Sequence, residues 1–216
     1  MRRVAVILSG CGFRDGAEIT ESISTLICLS ELKAEVECFA PKLDFSPTNH
    51  LNSSQSSEVR NTLFEAARIS RGHISDLDTL DEKKFDAIVL PGGFGVAQHL
   101  SDFAKNGAKA KVLPSLESRL RAFHKNSKPI GGICIAPAVI ALTLAQYRVT
   151  VTIGNDPETI KEIEKTGAQH VVCSVTDYIS DRDNKVLTTP AYMFDAKPHE
   201  VFTGVRAMLR ELVEMA

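Results

Sequence analysis

The sequence predicts a doubly wound α/β fold, in which a mostly parallel sheet is covered by helices on both faces. Short, mainly apolar runs alternate along the chain with segments of helical periodicity, and the clearest runs are residues 4–8, 36–40, 86–90 and 129–133, with Glu37 and Asp86 as their charged residues. Runs without a polar face are typical of strands buried in a parallel sheet. Their alternation with helices is the pattern of repeated β-α-β units.

Helical periodicity fills the intervals between these runs. Residues 17–33 carry apolar side chains at helical spacing. Further helices are predicted over residues 58–70, 112–125, 157–166 and 197–214, and short late strands near 170–173 and 185–189.

One polar stretch interrupts this pattern. Residues 41–57 are rich in Ser, Asn and Pro, which predicts an insertion running over the surface. We refer to residues 41–57 as the insertion. No linker divides the remainder, so we expect residues 1–216 to form a single domain.

Composition limits the class of protein. Hydrophobic residues make up 44% and charged residues 24%, which is typical of a globular domain. A net charge of -2 gives no field that would attract nucleic acid or a membrane surface. The five cysteines include no CxxC pair, and no cluster of His, Cys, Asp and Glu has the spacing of a metal site. We therefore expect free thiols, no metal and a cytoplasmic location.

Cys134 is the main candidate for chemistry. It lies where the apolar run 129–133 ends and a helix is predicted to begin, an arrangement similar to a nucleophile elbow. The positive end of the helix dipole would favour its thiolate. Ala136 replaces the last glycine of the usual elbow pattern. The alternative is a small, buried core cysteine.

A glycine-rich turn follows the run 86–90. Gly92 and Gly93 would allow backbone N–H groups to face a ligand, as an oxyanion hole requires. The alternative is a tight turn from strand to helix without a ligand. No Gly-Lys-Ser/Thr follows, so the turn is not a phosphate-binding loop.

Two acidic residues, Glu18 and Glu21, begin the first predicted helix. One interpretation is that both are solvated and interact with the helix dipole. The other is that one of them reaches the crevice at the strand ends and exchanges a proton with a nucleophile. The preceding loop is not a dinucleotide fingerprint, because Asp15 occupies the position of its third glycine.

Cys11 and His170 are secondary candidates. Cys11 lies on the loop after the first strand, where it is either a second thiol at the site or filler. His170 begins a late strand and would act only if the fold returned it to Cys134. Cys28 and Cys38 are expected in the core, and the other histidines on the surface: His50, His73, His99, His124 and His199.

Several long motifs together resemble the ElbB family of isoprenoid-biosynthesis proteins, a PfpI-type branch of the class I glutamine amidotransferase-like superfamily. They are ILSGCGFRDGAEITE, LPGGFGVAQHLSDFA, SKPIGGICIAPA and NKVLTTPAYM, and the resemblance extends over nearly the whole chain. It implies a flavodoxin-like sandwich with Cys134 as the nucleophile. Glu21 would hydrogen-bond the thiol, with Glu18 as the second choice.

The resemblance also implies that the backbone of Gly93 and Ile135 supplies the oxyanion donors. Many relatives carry a histidine directly after the cysteine, where this chain has Ile135. An amidotransferase or peptidase triad is therefore disfavoured, and His170 is the candidate substitute.

The function implied by the resemblance is a glyoxalase of hydro-lyase type that converts glyoxal to glycolate, or a protein deglycase, without a cofactor. The protein would bind a small reactive carbonyl as its substrate and would bind neither nucleic acid nor membranes. Relatives usually form dimers, so the resemblance also implies a homodimer. The alternative is a non-catalytic thiol sensor or a regulatory protein that acts on an isoprenoid-pathway enzyme.

Overall fold

The computed structural model describes residues 1–216 and contains eleven strands and eight α-helices. The strands are β1 (Arg3–Ile7), β2 (Glu35–Ala40), β3 (Asp44–Phe45), β4 (Arg60–Asn61), β5 (Ile74–Asp76), β6 (Ala87–Leu90), β7 (Ile130–Ile133), β8 (Thr150–Val151), β9 (Gln169–His170), β10 (Ile179–Asp181) and β11 (Val186–Thr189). The helices are α1 (Ile19–Glu31), α2 (Thr62–Ile69), α3 (Phe94–Gln98), α4 (Phe103–Asn106), α5 (Pro114–Lys125), α6 (Ala136–Thr143), α7 (Pro157–Lys165) and α8 (Pro198–Met215).

Seven strands form the central sheet in the order β10-β11-β7-β6-β1-β2-β5. Every neighbouring pair is parallel except β10 with β11 at one edge. This arrangement confirms the predicted fold class. From β1 the chain first adds strands on one side and then, from β6 onwards, on the other. Loops at such a switch point form a crevice outside the carboxyl ends of the strands.

Apolar side chains cover both faces of the sheet. Along β1, Ala5 and Ile7 belong to one core cluster, whereas Val4 and Val6 belong to the cluster on the opposite face. Successive strand residues point to opposite faces, so a strand buried on both sides must be apolar throughout. Each large aliphatic side chain buried in this way stabilises the fold by about 1.5–3 kcal/mol.

Two predicted segments differ from the structure. The insertion is not a plain loop, because β3 lies within it and pairs with β4, and Thr48 bridges to Gln55. Of the late strand predicted at residues 170–173, only His170 lies in a strand: β9 is Gln169–His170 and pairs with β8 outside the central sheet. No helix is long and apolar enough to cross a membrane.

Candidate active site

Cys134 occupies a strained turn between β7 and α6. Its φ is 61°, in the left-handed region that residues other than glycine rarely adopt. Its backbone N–H donates to the Thr189 carbonyl at 2.9 Å. Such strain costs about 1–3 kcal/mol and commonly marks functional sites. The side chain is 7% exposed. The turn needs small residues before it, since a Cβ on Gly132 would lie 2.7 Å from Ile140 Cδ1.

Glu21 lies directly against this thiol. It belongs to the first turn of α1 and is fully buried, and its carboxyl faces the Cys134 side chain across Gly92. Oε2 accepts from the Gly92 N–H at 2.9 Å, and Oε1 accepts from the Tyr192 N–H at 3.3 Å. The interpretation of both acids as solvated is therefore wrong for Glu21.

Glu18 has a different position from Glu21. It is the N-cap of α1, where its Oε2 accepts from the Glu21 N–H at 2.7 Å, and it lines the cavity above Cys134. An N-cap acceptor of this kind stabilises a helix by about 0.5–2 kcal/mol. Glu18 therefore fixes the start of the helix that carries Glu21, and its carboxylate contacts the backbone of that residue.

The buried pair retains protons. Burial, with the charge of Glu18 added, raises the pKa of Glu21 to about 8 against the opposing effect of its hydrogen-bond donors. Burial and the charge of Glu21 raise the pKa of Cys134 well above its usual range, although the N–H groups of Gly93 and Ile135 oppose this. Burial and the charge of Glu21 therefore oppose the thiolate that the helix dipole was expected to favour.

The glycine turn after β6 lies between the Cys134 thiol and the Glu21 carboxyl, and it supplies the Gly93 N–H as a donor. A Cβ on Gly92 would lie 2.5 Å from Cys134 Cβ and 2.7 Å from Glu21 Oε2. Gly93 has a φ of 95°, and its N–H, like that of Ile135, lies near Cys134 and acts to lower the pKa of the thiol. Two amide donors that converge at the sulfur stabilise negative charge that develops there or on the adjacent atom.

A cavity of about 1080 Å³ opens above Cys134. Side chains from the loop after β1, from α3, α4 and α7, and from the segment after β11 form its walls: Phe13, Glu18, Phe94, Ala97, Phe103, Ala104, Asp156, Glu158, Thr159, Lys161, Glu162, Lys165, Tyr192, Met193, Phe194 and Asp195. No three His, Cys, Asp or Glu side chains are grouped so that they could hold a metal ion.

His170 and Cys11 do not line this cavity. The His170 ring accepts a hydrogen bond from the Ile153 N–H at 3.1 Å, because β9 pairs with β8 rather than joining the central sheet. Cys11 is half-buried, and burial raises its pKa. The structure therefore brings together Cys134, Glu21, Gly92, Gly93, Ile135 and Glu18, but not these two residues.

Three further observations concern residues other than Cys134 and Glu21. Cys28 and Cys38 are buried, as predicted. His99 is not a surface residue: it is partly buried, its ring donates to the Asp15 carbonyl at 2.9 Å, and burial lowers its pKa. The Tyr192 amide was not predicted as a contact of Glu21, and no local pattern indicates it.

A cysteine elbow above a doubly wound sheet, with a buried glutamic acid beside the thiol, defines the class I glutamine amidotransferase-like fold. Residues 13–190 match the DJ-1/PfpI family, and the chain belongs to that family.

Relatives and solved structures agree with this assignment. The human protein "Glutamine amidotransferase-like class 1 domain-containing protein 3, mitochondrial" is 42% identical to this chain. The alignment covers 99% of this chain and 83% of the human protein. The zebrafish "ES1 protein, mitochondrial" is 33% identical, and the alignment covers 98% of this chain and 85% of the zebrafish protein. A crystal structure of an isoprenoid biosynthesis protein with an amidotransferase-like domain from Ehrlichia chaffeensis has a TM-score of 0.94 at 34% identity, covering 100% and 99%. Since the first two relatives are named as mitochondrial, a cytoplasmic location stays a prediction.

Proposed function

We propose that this protein is a cofactor-independent glyoxalase that converts glyoxal to glycolate through Cys134. The observation that carries the proposal is the buried, adjacent pair of Cys134 and Glu21, which lies under a cavity beside the N–H groups of Gly93 and Ile135. Such a pair provides a nucleophile and an acid-base group within reach of each other. The similarity to a protein named for isoprenoid biosynthesis supports placement in the ElbB group.

In the first step, the Glu21 carboxylate accepts the thiol proton while the sulfur adds to one aldehyde carbon. A carbon–sulfur bond forms, and the carbonyl electron pair moves to the oxygen. The N–H groups of Gly93 and Ile135 stabilise the resulting negative charge. Glu21 then returns the proton to this oxygen, which gives a hemithioacetal.

In the second step, Glu21 removes the proton from the carbon bound to sulfur, and the neighbouring carbonyl oxygen takes up a proton, which gives an enediol. Glu21 then delivers its proton to the neighbouring carbon, while the hydroxyl on the sulfur-bound carbon releases its proton and becomes the thioester carbonyl. The product is a thioester of glycolate, in which one carbon has been oxidised and the other reduced. Water then attacks the thioester, so that glycolate leaves and the thiol is restored. A carboxyl with a pKa of about 8 suits both proton transfers near neutral pH.

Two other functions fit the site less well. An amidotransferase triad of the pattern found in many relatives has a histidine directly after the cysteine, where this chain has Ile135. A thiol sensor needs a reactive thiolate but no acid-base group beside it, so it leaves the buried Glu21 carboxyl next to Cys134 without a role.

Purified protein incubated with excess glyoxal tests the proposal. We expect many equivalents of glycolate per protein chain, and no turnover by Cys134→Ser. Cys173→Ser is the matched control, because Cys173 is a half-buried free thiol that does not line the cavity. One equivalent of Cys134 adduct without glycolate would instead support the sensor and contradict the glyoxalase.

Replacing His170 with Ala is expected to leave kcat/KM for glyoxal within about threefold of wild type. The ring only accepts a hydrogen bond from Ile153, so its loss is expected to lower the free energy of unfolding by about 1 kcal/mol. Steady-state kinetics and urea denaturation measure the two effects. A loss of more than about 10²-fold, the range of an acid-base group, would restore His170 as a catalytic residue.

A further inference from the structure

The cavity above Cys134 is much larger than a two-carbon dialdehyde requires. Its volume of about 1080 Å³ is slightly above the ~300–1,000 Å³ typical of sites for drug-sized ligands. Glyoxal bound at the thiol would occupy the floor of this cavity and leave most of its wall uncovered.

The uncovered wall is rich in aromatic side chains, among them Phe13, Phe94, Phe103, Tyr192 and Phe194. Phe13 and Phe94 are 44% and 53% exposed. Aromatic surface gains free energy when an apolar ligand removes it from water. The charged lining residues comprise five carboxyl groups and two lysines, an excess that disfavours an anionic ligand but not an uncharged one.

The insertion holds Phe13 in position. The ring of His50 meets the Phe13 ring edge-on at a centroid distance of 5.3 Å, and the Arg14 guanidinium lies over the Phe13 ring at 4.9 Å. His50 is itself fixed, because its Nε2 accepts from the Arg14 N–H at 3.3 Å and its Nδ1 lies 3.0 Å from the Thr48 carbonyl. An exposed aromatic side chain that is fixed before a ligand arrives loses little entropy on binding.

We propose, as an extension of the proposed glyoxalase function, that the preferred substrate is a 2-oxoaldehyde with a bulky apolar substituent on the ketone carbon. Phe13 is then a specificity-determining residue, and His50 is a positioning residue that acts through it. The sulfur adds to the aldehyde carbon, a proton passes from that carbon to the ketone carbon, and water hydrolyses the thioester. The aldehyde carbon is oxidised and the ketone carbon reduced, so a 2-hydroxy acid forms without an external oxidant.

Initial rates with phenylglyoxal and with glyoxal test this inference, measured before phenylglyoxal modifies arginine side chains. We expect the wild-type kcat/KM to be at least about tenfold higher for phenylglyoxal, and Phe13→Ala to lower this ratio by about tenfold, the size of one lost aromatic contact. Phe64→Ala is the matched control, because Phe64 is an exposed phenylalanine on α2 outside the cavity. It is expected to leave the ratio unchanged.

His50→Ala is expected to raise KM for phenylglyoxal while kcat and the glyoxal kinetics stay unchanged. Equal effects on both substrates would contradict its positioning role. Turnover of glyoxal with no preference for phenylglyoxal, or a ratio unaffected by Phe13→Ala, would overturn the inference and leave the proposed function intact. Wild-type protein that turns over neither compound would overturn the proposed function itself.

Discussion

Replacing Glu21 with Gln is expected to lower kcat/KM for glyoxal by about 10³-fold, within the range of general acid-base catalysis. The amide keeps the shape of the side chain but neither accepts nor releases the proton that Glu21 exchanges with Cys134. In wild type, kcat/KM is expected to rise with pH and level off above about 8, because the carboxylate form of Glu21 accumulates through its pKa of about 8. Steady-state kinetics over a pH range that spans this pKa should show the rise in wild type and not in the variant.

The same substitution changes how stability depends on pH. The pKa of Glu21 rises from an ordinary 4.5 to about 8 in the folded chain, so the native protein keeps a proton that the unfolded chain has already released. The free energy of unfolding therefore falls as pH rises from about 4.5 to 8, by on the order of 3–5 kcal/mol in total. Glu21→Gln removes this contribution. The two partly buried histidines with lowered pKa values, His99 and His170, have the opposite dependence, so the difference between variant and wild type isolates Glu21.

The variant also loses one hydrogen bond at every pH. The substituted amide would have one carbonyl oxygen for the two N–H donors of Gly92 and Tyr192, which costs about 1–3 kcal/mol. We therefore expect the variant to be less stable than wild type near the ordinary pKa of a carboxyl and at least as stable above the raised pKa, in urea denaturation. Glu18→Gln is the control: it keeps an N-cap acceptor and removes the charge that raises the pKa of Glu21. Its kcat/KM should level off at a lower pH. Parallel stability curves for wild type and Glu21→Gln would show that the carboxyl ionises normally.

The elements that could be predicted from sequence are those with a continuous local signal. The run over β6 is apolar throughout because both faces are buried. β5 and β10 were missed because each is a three-residue Ile-Ser-Asp segment at an edge of the sheet, where polar side chains are tolerated. The strand predicted at residues 170–173 illustrates a second limit: only His170 of these residues is in β9, because the length of the strand and its partner β8 are set by the whole fold.

The site also contains features that a local sequence pattern indicates and features that only the whole fold determines. Cys134 could be found because an elbow is a local strand-to-helix pattern. The residues alone could not choose between Glu18 and Glu21, which lie three positions apart at the start of one helix; only the packing of α1 against the glycine turn buries one and leaves the other lining the cavity. The contact from the Tyr192 amide joins residues 171 positions apart, so no local signal could reveal it.

Replacing Gly92 with Ala is expected to lower kcat/KM for glyoxal by about 10²-fold while the protein still folds. The added methyl group would lie 2.5 Å from Cys134 Cβ and 2.7 Å from both Glu21 Oε2 and the Ile133 carbonyl, closer than real contacts allow. The strand end and the buried carboxyl are tightly packed, so we expect the thiol and the carboxyl to be forced apart. Overpacking of this kind lowers stability by about 1–3 kcal/mol, and a displacement of about 1 Å is enough for a 10²-fold loss of rate.

The decisive comparison is with Gly72→Ala. Gly72 has a positive φ of 83° and nothing within 4 Å of an added Cβ, so alanine there adds backbone strain of about 1–2 kcal/mol without touching the site. Thermal denaturation should show both variants destabilised to a similar extent, whereas only Gly92→Ala loses activity. If both kept wild-type kcat/KM, the spacing between Cys134 and Glu21 would not limit the reaction. If both lost activity equally, general destabilisation would explain the loss. A loss confined to Gly92→Ala requires the thiol and the carboxyl to act as one unit, because the methyl group enters the space that they share.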